Sequence, residues 1–170
     1  MSGSNPLADP HTLIEVEVEA DDWALALPDP AALARAAGEA ALAAANRTGG
    51  VVVLLTDDDE VAALNSQFRG KAGPTNVLSF PAAANSQDHL GDVALASGVC
   101  AREAKAQGKR LAHHLQHLVA HGVLHLLGYD HQTESEAVAM EALERRIMGD
   151  LGAPNPYQSE GEDQDRGDGR

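Results

Sequence analysis

The chain opens its ordered pattern at Leu13-Ile-Glu-Val-Glu-Val-Glu19, where apolar and acidic residues alternate. That two-residue period predicts a half-buried strand whose glutamates face solvent. Asp29 and Pro30 then supply an N-cap and a first-turn proline for an alanine-rich helix to about Asn46, with Leu33, Ala37, Ala40 and Ala44 as its packing stripe. After the Thr48-Gly-Gly50 break, Val51–Leu55 is apolar without alternation, as in a strand buried on both faces. Thr56 with Asp59 predicts a capped helix through Phe68, and the acids Asp57 to Glu60 suit its first turn better than a metal. A glycine- and proline-bearing loop leads to a short strand, Val77–Pro81, and Leu90–Leu95 reads as another. Ser97 is placed as the cap of a helix to about Gly108. Apolar residues recurring from Leu111 to Leu127 predict a largely buried helix, and Thr133 with Glu136 forms a capping box for a last helix to about Met148.

The buried helix carries unusual chemistry at its end, His121-Gly-Val-Leu-His125-Leu-Leu-Gly128-Tyr-Asp-His131. Residues four apart on a helix lie about 40° apart around its axis, so His121 and His125 present imidazoles to one point. Gly128 can adopt the left-handed conformation that closes the helix, and the returning chain brings His131 in as a third nitrogen. Three protein ligands with a fourth position open is the arrangement of a catalytic zinc ion, which lowers the pKa of a water it holds to about 7. The spacing matches the metzincin pattern H-E-x-x-H-x-x-G-x-x-H except that Gly122 stands in place of the glutamate. That glutamate is a protease's general base, so the metal site is retained while peptide hydrolysis is disfavoured. His117, one turn earlier, is excluded as a ligand because a His117/His121/His125 row spans about 12 Å. It is left as a substrate-binding or supporting residue, and His113 and His114 are expected at the surface.

Composition refines this picture. At 170 residues and 44% apolar content, one domain with one core is expected, built from Ala, Val and Leu because only two Phe, two Tyr and one Trp are present. Residues 13–149 are assigned to it, with residues 1–12 as a flexible N-terminus and residues 150–170 as an acidic, disordered tail. The single Cys100 cannot form an internal disulfide, and neither a secretory signal nor a membrane span is visible, so a cytoplasmic location is expected. The net charge of −14 divides unevenly: residues 1–60 hold twelve acids and two bases, residues 61–149 eight of each, and residues 150–170 six acids and two bases. Between residues 65 and 120 the bases Arg69, Lys71, Arg102, Lys105, Lys109 and Arg110 outnumber the three acids. A phosphate-binding groove is therefore permitted despite the total. Arg102, Lys105 and Lys109 share a helical face, either a phosphate-facing stripe or ordinary solvated surface.

With these residues in view, the sequence resembles the YbeY family of bacterial endoribonucleases. Three motifs in order carry the resemblance over roughly residues 50–149: Asn65 to Arg69 leading into Pro74-Thr-Asn-Val-Leu-Ser-Phe-Pro81, Leu90-Gly-Asp-Val93, and His121 to His131. The resemblance implies an α+β, zincin-like single domain: a small mixed sheet of about four strands packed with helices, the metal borne on a central helix. It implies one zinc ion on His121, His125 and His131, and a role for Arg69 in activity. It also implies cleavage of single-stranded RNA in ribosomal RNA processing, at the small-subunit RNA 3′ end, and in ribosome quality control. The expected partners are ribosomal RNA and the ribosome or its small-subunit proteins, with neither DNA nor membrane. Lys71, His117, Arg102, Lys105 and Lys109 join Arg69 as candidate substrate contacts. Two other readings stay open: a ribosome assembly factor with a non-catalytic zinc, and a zinc hydrolase acting on peptides or small molecules.

Overall fold

The computed structural model of the chain describes residues 13–83 and 88–158. Its elements run β1 (Leu13–Val18), α1 (Asp21–Ala26), α2 (Pro30–Ala44), β2 (Gly50–Thr56), α3 (Asp58–Arg69), β3 (Val77–Pro81), β4 (His89–Ala96), α4 (Ser97–Gln107), α5 (Leu111–Leu126) and α6 (Glu134–Asp150). One four-stranded sheet has the order β1-β2-β4-β3. β1, β2 and β4 are parallel, and the edge strand β3 runs antiparallel to β4, with Ser79 opposite Val93. The α+β class and the mixed four-stranded sheet are as expected.

Alternation along the strands divides the core between two faces. Val51, Val53 and Leu55 of β2 with Val93 and Leu95 of β4 join α2, α5 and α6 in the main core, where Leu115, Val119, Val123 and Leu124 of α5 are fully buried. Leu78, Ala94 and Ala96 face the other way and pack with Val61 of α3. α5 thus lies across the sheet with its apolar stripe inward, and its histidine-bearing end reaches the edge strand β3.

Several local expectations are corrected. The cap of α3 is Asp57, whose side chain accepts the Glu60 N–H at 2.8 Å, because Thr56 is the buried last residue of β2. Ser97 does not cap α4: its hydroxyl donates to Asp22 at 3.2 Å. The fully buried stripe of α2 runs through Ala34, Ala37, Gly38, Ala41 and Leu42, while Leu33, Ala40 and Ala44 flank it, partly buried against the same core, and Asn46 lies past the helix end. The short helix α1 was not anticipated. It buries Trp23, whose indole N–H donates to the Thr56 carbonyl at 2.9 Å. The capping box of α6 has both its halves. Residues 151–158, assigned to the acidic tail, are ordered instead: they continue from α6 as turns with Pro156 buried. The remainder of that tail, and the N-terminal residues 1–12, lie outside the described residues. Among the described residues no helix is long and apolar enough to cross a membrane.

Candidate metal centre

The three histidines converge. α5 ends in a Schellman motif: the Gly128 N–H donates to the His125 carbonyl and the Tyr129 N–H to the Leu124 carbonyl, both at 3.0 Å. Gly128 has φ +99°, a value that an L side chain rarely adopts. The chain then doubles back, and Asp130 accepts the His131 N–H at 2.8 Å, holding the turn. His121, His125 and His131 offer ligand nitrogens that all lie within 4.8 Å of one another. The Nε2 atoms of His121 and His125 are 3.1 Å apart. Two imidazoles on one tetrahedral zinc ion, each about 2.05 Å from it, have nitrogens about 3.3 Å apart, so the site fits that ion.

Proton positions agree with ligation. Glu144 of α6, fully buried, has Oε2 2.5 Å from His121 Nδ1. A carboxylate only accepts, so Nδ1 carries the proton and Nε2 turns its lone pair towards His125 and His131. Burial raises the Glu144 carboxyl, but the neighbouring His117 and His121 outweigh it and bring it down to about 2. Burial, then the nearby His121 and His131, push His125 below its ordinary value, favouring the neutral form that binds metal. A second set of metal-ligand type, His117, His121 and Glu144, also lies within 4.8 Å. There the 2.5 Å approach of His121 Nδ1 to Glu144 is a hydrogen-bond distance, too short for two ligands of one ion.

Gly122 explains its own identity. A Cβ built there would lie 2.6 Å from Val93 Cγ1, 3.2 Å from Ser79 Oγ and 3.3 Å from Val77 Cγ2. The Ser79 hydroxyl donates to the Gly122 carbonyl at 2.9 Å. α5 rests directly on β3 and β4 at this residue, so any side chain there would have to displace Val93.

The histidines open into a cleft of about 550 Å³ lined by Arg69, Asn76, Ser79, Pro81, Asp130 and Gln132 as well as the trio itself. Arg69, exposed at the end of α3, is thereby brought to the site. The other candidate cations are not. Lys71 is exposed on the following loop, Arg102 pairs with Asp58 at 3.1 Å, and Lys105 is exposed on α4. Lys109 donates from Nζ to the Pro156 carbonyl. It lines a separate cavity of about 770 Å³ with Glu103, His114, His117 and Tyr157, which meets the first cleft at Asn76 and His121. His117 is placed in that second cavity, 3.5 Å from Glu144 Oε1, with neither ring nitrogen hydrogen-bonded among the described residues. His114 is not the surface residue expected. It is buried, with Nε2 2.9 Å from Glu103, and burial lowers its pKa despite that partner.

Glu144 and Tyr157 were missed by sequence reasoning. Glu144 follows the last ligand by thirteen residues and sits on a helix of ordinary amphipathic pattern, and its position facing α5 is set by how α5 and α6 pack.

Comparison with known proteins identifies the family. The family profile described as Endoribonuclease YbeY matches residues 19–152. A protein of that name from Maricaulis maris is 58% identical over 100 residues, covering 59% of this chain and 62% of the relative. Another from Rhodopseudomonas palustris strain BisA53 is 55% identical over 115 residues, 64% of each chain. The chain therefore spans about three-fifths of the length of these curated relatives. The solution structure of TM1509 from Thermotoga maritima shares the fold, with TM-score 0.54 and 24% identity over 85% of this chain and 99% of that one. Three converging imidazoles on a glycine-closed helix, an edge strand against them and a match over most of the chain lead to one assignment: the chain belongs to the YbeY family.

Proposed function

We propose that the chain is a zinc-dependent endoribonuclease that cuts single-stranded RNA during ribosomal RNA maturation, at the 3′ end of the small-subunit RNA, and in ribosome quality control in the cytoplasm. The observation that carries this reading is the placing of Arg69 in the same cleft as His121, His125 and His131. The names of the relatives support RNA as the substrate class. A zinc ion bound by the trio would supply Lewis acidity towards a phosphodiester oxygen and acidify an attacking water.

Within this reading each side chain has a defined task. His125, whose lowered pKa favours the neutral ring, and His121, held in one tautomer by Glu144, would hold the ion with their free ring nitrogens. The Arg69 guanidinium, always charged and forked, matches the oxygens of a phosphoryl group and stabilises the charge that grows on them. Gly122 stands where a protease of this motif carries its general-base glutamate, which weighs against peptide hydrolysis. Asp130 lines the cleft and holds the turn by accepting the His131 N–H.

The test is cleavage of a single-stranded small-subunit RNA 3′ precursor by zinc-loaded protein and by the Arg69→Ala and His125→Ala variants, with zinc content measured on each. Arg69→Ala is expected to keep its zinc and to lose about 10²-fold or more in rate, as for removal of one electrostatic stabiliser. His125→Ala is expected to lose both. Equal cleavage by all three samples would refute the nuclease reading and favour an assembly factor with a non-catalytic zinc.

A further inference from the structure

On the Nδ1 side of His121 the structure holds a second arrangement, in which the segment after α6, lining the neighbouring cavity, reaches the back of the candidate metal site. Glu144 is fully buried, and a buried carboxylate must be matched by donors. Its Oε2 is matched by His121 Nδ1 at 2.5 Å, and its Oε1 accepts the Tyr157 hydroxyl. His117 Nε2 lies 3.5 Å from the same oxygen without bonding to it. Tyr157 is 45% exposed, so burial of its ring does not by itself hold it there. Two polar contacts do: its N–H donates to Asn155 Oδ1 at 2.9 Å, and the preceding Pro156 carbonyl accepts from Lys109. Its ring also meets the edge of His117, with centroids 5.5 Å apart.

We propose that Glu144 and Tyr157 are positioning residues of the metal site: Glu144 fixes the tautomer and orientation of His121, and Tyr157 fixes Glu144. The segment after α6 is then part of the site's supporting shell. Carboxylates behind a ligating histidine do this in metal sites generally, and their removal costs about 10- to 100-fold in affinity. The proposal rests on the reading of the trio as a zinc site. A merely structural role would instead make Glu144 and Tyr157 matter for folding and leave the metal indifferent to them.

The two roles separate when zinc affinity, measured by competition with a chromophoric chelator, is set beside the circular dichroism of the metal-free protein and the visible spectrum of the Co²⁺-substituted form. Glu144→Gln keeps the size and an acceptor but removes the charge. It is expected to fold, to bind zinc about 10- to 100-fold more weakly and to shift the cobalt bands. Tyr157→Phe removes one hydrogen bond at a partly exposed residue, and about threefold to tenfold weaker binding is expected, since His117 is near enough to replace part of it. A folded Glu144→Gln protein with wild-type affinity and cobalt spectrum would overturn the proposal. If Glu144→Gln fails to fold, Tyr157→Phe decides: weakened binding supports the proposal, and wild-type affinity overturns it. Wild-type protein that binds no zinc, or binds it no better than His125→Ala, would instead bring down the metal reading and this proposal with it.

Discussion

Replacing Gly122 with alanine tests the close seat of α5 on the sheet. The added Cβ would be placed 2.6 Å from Val93 Cγ1, about 1 Å inside ordinary contact. Val93 is fully buried and β-branched, so it has no flexible end to swing aside. Overpacking of this kind costs about 1–3 kcal/mol, and this site belongs in the upper half of that range. Alanine in a helix interior recovers about 1 kcal/mol over glycine. The net expectation is a loss of roughly 1–2 kcal/mol, or about 2–8 °C in Tm for a domain of this size. Because the helix must lift where it carries His121 and His125, zinc affinity should fall as well. Thermal and denaturant unfolding of the metal-free protein, followed by chelator competition, measure both effects. Truncating Val93 to Ala supplies a double-mutant cycle: in the Val93→Ala background the cost of Gly122→Ala should shrink by about 1 kcal/mol or more. Gly122→Glu, which would recreate the protease motif, should not fold. A Gly122→Ala protein as stable as wild type, with no coupling to Val93, would refute the packing argument.

Other consequences can be checked separately. Stripping the metal with a chelator should lower Tm, by up to about 5–10 °C relative to protein at 100 times its dissociation constant, since such binding adds about 2.7 kcal/mol. Acid should weaken the metal-free protein in two windows. The folded-state pKa of His114 is depressed, so the unfolded chain takes up its proton first and stability falls as pH drops below about 6.5. Glu144, held at about 2 when folded, loses its contribution as pH falls from its unfolded value of about 4.5 towards 2. His114→Asn should flatten the first fall and Glu144→Gln the second, in urea titrations at stepped pH. RNA binding, with few aromatic side chains available for stacking, should weaken steeply between 50 and 200 mM salt; insensitivity to salt would refute backbone phosphate recognition.

The features that the sequence disclosed are those set by short spacing. His121, His125, Gly128 and His131 are neighbours along the chain, so one helix and its termination suffice to assemble them. The same holds for the Thr133–Glu136 capping box and for the alternation of β1. Arg69 was singled out through a motif, yet its delivery to the cleft depends on α3 ending beside the edge strand, which no periodicity encodes. The basic residues after it show the reverse error. Arg102 shares a helical face with Lys105 and Lys109, but Asp58 from another helix captures it. The burial of His114 is invisible along the chain because its partner, Glu103, lies on α4, across the packing of two helices. The glycine at 122 was visible as a departure from a protease motif, while its cause lies in Val93 and Ser79, 29 and 43 residues upstream.

That the three imidazoles fall within eleven consecutive residues also bears on how the protein is made. Closing loops of three and five residues costs little chain entropy, so even an unfolded chain can chelate an ion with this stretch. During synthesis the three imidazoles become available together once His131 has emerged, before Glu144 and Tyr157 have followed it out of the ribosome. Capture of the ion can therefore come first and folding second, with α6 and the segment after it tightening a complex already formed. Loading need not wait for an opening in the finished fold, and an ion that binds both states shifts the folding equilibrium by less than its affinity for the native protein alone would give.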